Sequence, residues 1–135
     1  METLPALYTS LVQALSCHRL WLDTRHLKTL SWMVNGLIQA KTVSLGAWAL
    51  YVQSRDSFTA STIRRFQRFL YNERIAVNQL YGPLLSHALL TGDHRTLYVA
   101  LDTSLLWNRY CVVRLSLIYR GRAVPLVWQV LEHPS

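Results

Sequence analysis

Cysteine is scarce: the 135 residues contain two, Cys17 and Cys111, with no C-x-x-C spacing. A disulfide framework is not supported on that count, and a reducing compartment is expected. No apolar run approaches the roughly 18 residues of a membrane-spanning helix. The start, METLPALYTSLV, carries an acid at position 2 and no basic segment, so it does not read as a secretory signal. The five glycines form no phosphate-cradling loop, and no Ser–His–Asp arrangement can be argued. There is no internal repeat and no low-complexity segment. Acids are also few, seven Asp and Glu against fourteen Lys and Arg.

What is present is apolar bulk and arginine. The chain is 51% hydrophobic with five Trp, which argues against disorder and for one ordinary domain or two very small ones. Twelve of the fourteen basic residues are Arg, and the formal charge is +7. The planar guanidinium suits phosphate, which makes nucleic acid the first partner to consider; solubilising an apolar chain is the plainer alternative. Residues 1–74 hold nine Lys/Arg against four Asp/Glu, residues 75–135 five against three. The basic surface is therefore expected mainly in the first half.

Hydrophobic periodicity divides the chain near residue 92. Leu4, Leu7, Leu11 and Leu15 recur at helical spacing, with Pro5 tolerated in the first turn. Asp23 or Thr24 can cap a second helix with Leu27, Leu30, Val34, Leu37 and Ile38 as its stripe, slightly weakened by Gly36. Ser44 caps a short third helix over 45–53. After SRDSFTAS a fourth spans 60–72, and a fifth over 75–90 must kink or restart at Gly82-Pro83. Beyond TGDHR the pattern becomes strand-like. Residues 97–101 read as a strand buried on both faces, 109–119 as a half-wet strand, and 123–131 as a third, placed at a sheet edge by Pro125. Arg120-Gly121 supplies the turn between the last two. Short links make these an antiparallel meander. The sequence thus predicts an α+β chain: a helical domain over 1–92, then an unfinished three-stranded sheet over 93–135.

The fourth helix, STIRRFQRFLYNER, is strongly two-sided. At about 100° per residue, Ile63, Phe66, Phe69 and Leu70 share one face, and Arg64, Arg65, Arg68, Tyr71 and Asn72 the other. With the preceding helix and turn this is a helix–turn–helix-like arrangement, with Arg55 before it and Arg74 after. The functional alternative is DNA contact by Arg64, Arg65, Arg68, Arg55 and Arg74; the other is a solvated amphipathic helix.

In YVALDTSLL, Asp102 puts a charge at the end of an apolar run. Residue types alone leave it as a turn residue, a cap or a partner of an Arg such as Arg109. The chemical alternative is a ligand for Mg²⁺, a hard cation that prefers oxygen. Two-metal phosphoryl transfer needs clustered carboxylates, and beyond Asp102 the only acid is Glu132.

TIRRFQRFLYN (62–72), LYVALDTSLL (97–106) and VVRLSLIYRGRAVPLVWQVL (112–131) together resemble the N-terminal part of insertion-sequence transposases of the DDE class, in particular the insertion-sequence-four group. The resemblance covers most of the chain. It implies a helical DNA-binding bundle followed by the first three strands of an RNase H-like catalytic domain. It also implies Asp102, followed by Thr103, as the first catalytic carboxylate and Mg²⁺ ligand. The implied partners are double-stranded DNA at transposon ends and further copies of the chain or a full-length relative. The implied setting is a prokaryotic cytoplasm, in association with the nucleoid. Intact members cleave DNA and transfer strands; their second Asp and their Glu have no counterpart here. The expectation is a truncated form without cleavage activity, or a DNA-binding module without chemistry.

Three further sets of residues stand outside these patterns. His18 and His26 flank Trp21 and Asp23 at a spacing that fits no standard metal site. Trp21, Trp32 and Trp48 are expected in the core. Asp93 and His94 are expected in a solvated loop.

Overall fold

The computed structural model describes residues 4–17, 21, 23–53, 58–91 and 96–132. Among them, five helices precede three strands: α1 (Ala6–Ser16), α2 (Thr24–Ala40), α3 (Leu45–Ala49), α4 (Thr59–Leu70), α5 (Val77–Thr91), β1 (Val99–Leu106), β2 (Tyr110–Tyr119) and β3 (Arg122–Glu132). The chain is α+β in the expected order. It divides into two compact units, Met1–Leu84 and Leu85–Ser135.

In the first unit α1, α3 and α4 all pack on α2. Asp23 is the cap of α2, accepting from the Arg25 backbone N–H at 2.8 Å, and Ser44 caps α3 through the Ala47 N–H at 3.4 Å. These side-chain oxygens satisfy backbone donors that the first helical turn leaves without partners. The core consists of Tyr8, Trp32, Met33, Trp48, Ala49, Phe66 and Phe69. Tyr8 stacks on Trp32 with ring centroids 3.9 Å apart and planes 18° from parallel.

The buried stripe of α2 differs from the expected leucine stripe. Leu27 is buried, but Leu37 and Ile38 are exposed, and the inner face is made by Thr29, Ser31, Trp32, Met33, Asn35 and Gly36. Two hydroxyls bury cheaply because each bonds its own helix, Thr29 to the Arg25 carbonyl at 2.8 Å and Ser31 to that of Leu27 at 2.9 Å. Gly36 does more than weaken the helix. A Cβ there would lie 2.6 Å from the Trp48 Cβ, so only glycine lets α3 approach α2 this closely. Trp48 then sends its indole N–H to the Thr42 carbonyl at 2.6 Å.

α5 runs through Gly82 and Pro83 as one helix instead of restarting there, and the division between the two units falls one residue past Pro83. Nine residues, 50–58, separate α3 from α4. A helix–turn–helix link has three to four.

The second unit is a sheet in the order β1-β2-β3, antiparallel throughout. Arg120 (φ 49°) and Gly121 (φ 74°) form the tight β2–β3 turn that the Arg-Gly pair predicts. Trp107 (φ 51°) and Asn108 (φ 53°) turn the chain between β1 and β2. β3 is an edge strand, as Pro125 requires, and the register slips between Leu115 and Ser116, which face Val127 and Pro125.

Two expectations for β1 are corrected. The strand continues to Leu106, so Asp102 lies in its middle and not at its end. It is also not buried on both faces, since Leu101 is 71% and Leu105 57% exposed. An apolar run marks a strand able to be covered, and among the described residues β1 is an edge with one neighbour.

Candidate nucleic-acid interface

α4 is held by a narrow inner face. Phe66 is fully buried, Thr62 and Phe69 nearly so, and these three lie within about 60° of one another around the axis. Leu70, expected among them, is 58% exposed, since it projects about 100° round the axis from Phe69.

Opposite this inner face stand Arg64, Arg68 and Tyr71, all exposed. Arg64 and Arg68 are one turn apart, about 6 Å along the axis. Arg65 is exposed as well but departs from the pair. It lies on the flank, with its guanidinium 5.9 Å from the centre of the Phe66 ring, and its charge reaches Tyr8. Burial raises the Tyr8 phenol above its ordinary value, and Arg65 partly opposes that rise. The arginines expected on one face therefore split into an outward pair and a flanking residue.

Arg74 follows α4 in the link to α5. Its backbone N–H donates to the Asn72 Oδ1 at 3.1 Å, and its side chain lines a cleft of about 260 Å³ with Trp21, Asp23, His26, Gln79 and Leu80. Arg55 lies outside the described residues, as do His18, Asp93 and His94. His26 packs edge-on against Phe69, centroids 6.0 Å apart, and its Nε2 is 3.4 Å from the Asn72 Nδ2. The metal-ligand spacing of the histidines gives no hint of this cleft. The signal available was Trp21 and His26 flanking a helix cap, with a second polar cluster at 72–79.

In the sheet, Asp102 faces Arg114, with Arg114 Nη2 donating to Asp102 Oδ2 at 2.7 Å. The partner is not Arg109, whose guanidinium lies 5.3 Å from the Tyr110 ring. The pair was legible in principle: centring the hairpin on Asn108 places residue 102 opposite 114. Glu132 stands opposite Tyr110, two strands over from Asp102 and four residues along, on the order of 16 Å away by strand spacing.

Asp102 does not by itself fit the magnesium that the resemblance implies. Among the described residues no three His, Cys, Asp or Glu side chains gather to hold a metal, and the nearest charge to Asp102 is a cation. The guanidinium takes one of the two carboxylate oxygens, Oδ2, and its positive charge repels a second cation beside it.

Compared with protein-family models, with curated proteins and with solved structures, the chain matches none.

Proposed function

We propose that this chain binds double-stranded DNA through the outward face of α4, as a relative of the insertion-sequence-four-like DDE transposases that does not itself cleave DNA. The observation that carries the reading is the polarity of α4: Thr62, Phe66 and Phe69 anchor it, while Arg64, Arg68 and Tyr71 project together into solvent. Two guanidiniums one turn apart on a supported helix can each neutralise a phosphate and displace its counterions. A net charge of +7 favours encounter with a polyanion. The longer link before α4 does not affect this role, since the helix is held by its own buried face.

For the second half, Asp102-Thr103 in β1, the Gly121 turn and the Pro125 edge strand support descent from an RNase H-like sheet. Chemistry is another matter. In-line phosphoryl displacement with two metals needs several carboxylates around one point, and Asp102 is paired with Arg114. The proposal is therefore binding without cleavage, to transposon ends or to the sites of a full-length relative.

The test is duplex binding as a function of salt. Each phosphate contact contributes a slope of about 0.9 in log K against log salt. Arg64→Ala and Arg68→Ala should each flatten the slope by about that amount. An unchanged slope in both variants removes α4 from the interface. Nicking or joining of DNA by the pure chain with Mg²⁺ would refute the non-catalytic reading.

A further inference from the structure

We propose that β1 is a dimerisation edge, along which two copies of this chain join antiparallel with a two-fold axis through Thr103. The inference starts from the hydrogen-bond pattern. The Ile118 N–H donates to the Tyr98 carbonyl at 2.8 Å. In an antiparallel pair the bonded positions alternate. The even-numbered residues of β1, opposite Ser116, Arg114, Val112 and Tyr110, therefore bond inward to β2. Val99, Leu101, Thr103 and Leu105 point their N–H and C=O groups outward, off the free edge.

The two outer edges of the sheet differ. β3 carries Pro125, which brings no N–H, and a register slip beside it. Natural sheets use both devices to blunt an edge. β1 has no proline, no lysine and no bulge. Its single charge, Asp102, is paired with Arg114 inside its own sheet, so it guards the edge only where two copies would set Asp102 directly against Asp102.

The register follows from charge and parity. Outward groups must meet outward groups, so only odd-numbered residues can exchange bonds. Centring on Asp102 sets the two Asp102 carboxylates opposite each other, which like charges disfavour. Centring on Thr103 sets Thr103 against Thr103, Leu101 against Leu105, and Asp102 against the Ser104 hydroxyl. Threonine pairs, apolar pairs and a carboxylate beside a hydroxyl are all favourable across strands. This register also uses the strand at nearly full length, giving a continuous six-stranded sheet. A second copy is thus the occupant that the edge matches along its whole length.

Sedimentation velocity on the 135-residue chain across the micromolar range should give a species of twice 15.6 kDa. Thr103→Pro removes the central outward N–H at a position where an edge tolerates proline, and should return a folded monomer by circular dichroism. The register has its own test. With Cys17 and Cys111 replaced, the double variant Asp102→Cys/Ser104→Cys should form a covalent dimer under oxidation. Those positions would face each other as a non-hydrogen-bonded pair with Cα atoms about 4.5 Å apart. Ser104→Cys alone should not crosslink, because with Asp102 in place the two positions 104 lie on the diagonal. A monomeric wild type, a dimer untouched in folded Thr103→Pro, or crosslinking by Ser104→Cys alone as strong as by the double overturns the proposal. If Thr103→Pro loses its fold, the crosslink pattern decides.

Discussion

Asp102 and Arg114 sit directly opposite each other across the β1–β2 ladder, joined at 2.7 Å. The carboxylate side chain is 56% exposed and the guanidinium 39%. One guanidinium nitrogen, Nε, is nonetheless buried without a hydrogen-bond partner. The pair is thus a surface contact that orients Asp102 along the sheet more than it stabilises it.

Exposed ion pairs gain little, because water screens the attraction and two long side chains are immobilised. Asp102→Asn should therefore change unfolding free energy by less than about 1 kcal/mol. Urea denaturation followed by circular dichroism checks this. It should also leave duplex affinity nearly unchanged, because the proposed DNA contacts lie on α4. A large loss of affinity would place the sheet in the interface.

Arg65 should behave unlike Arg64 and Arg68. Its guanidinium lies beside Phe66 and its charge acts on Tyr8. Arg65→Ala should flatten the salt slope of DNA binding less than either neighbour. It should also move the Tyr8 titration further upward, since the charge that opposes the rise is gone. NMR titration of the Tyr8 ring reads the shift, and its sign is the test.

The broad plan was legible in sequence because periodicity reports one helix or strand at a time. The change of period near residue 92, the Asp23 and Ser44 caps, the Arg-Gly turn and the Pro125 edge are local signals with local causes. What escaped depended on partners. Tyr8 had no reason to outrank Leu4 until Trp32 stood across from it. Leu37 was exposed because Gly36 and Trp48 had already chosen which side of α2 faces inward. In the candidate interface the arginine cluster was legible as composition. Its division into an outward pair and a flank depended on which sector of α4 met α2 and α3.

Phe66 should dominate the stability of the helical unit. It is the one fully buried aromatic of the core and the centre of the inner face of α4, between Thr62 and Phe69. Phe66→Ala should cost about 3–5 kcal/mol. That is a large share of a domain's usual margin, so DNA binding should fall together with helicity. Phe66→Leu should cost less and keep the salt slope, which separates loss of the scaffold from loss of the contacts.

Asp23 makes stability depend on acid. Its carboxylate accepts from the Arg25 guanidinium and backbone N–H, and these bonds hold its pKa below the ordinary 3.8. A lowered folded value means the ionised form stabilises the native state. That contribution is complete above 3.8 and is lost as pH falls through the lower folded value. Asp23→Ala should therefore lower Tm at neutral pH, with the gap to wild type narrowing only below about pH 4. Thermal melts at a series of pH values test this. A gap that stayed constant into strong acid would show that the cap is not the source.

Gly36→Ala gives the sharpest test of the α2–α3 approach, because two effects of opposite sign compete there. Alanine is favoured over glycine inside a helix by about 1 kcal/mol. Against that, its methyl would lie 2.6 Å from the Trp48 Cβ, 2.7 Å from its Cα and 2.8 Å from its carbonyl oxygen. Two of those atoms are backbone and none is the flexible end of a side chain, so α3 itself must shift. Overpacking of this kind costs about 1–3 kcal/mol. The clash should win, and the variant should be less stable despite its better helix former. Displacing α3 would also strain the bond from the Trp48 indole to the Thr42 carbonyl. Trp48 fluorescence should then change before global unfolding in denaturant. A Gly36→Ala protein more stable than wild type would mean that α3 can retreat at no cost.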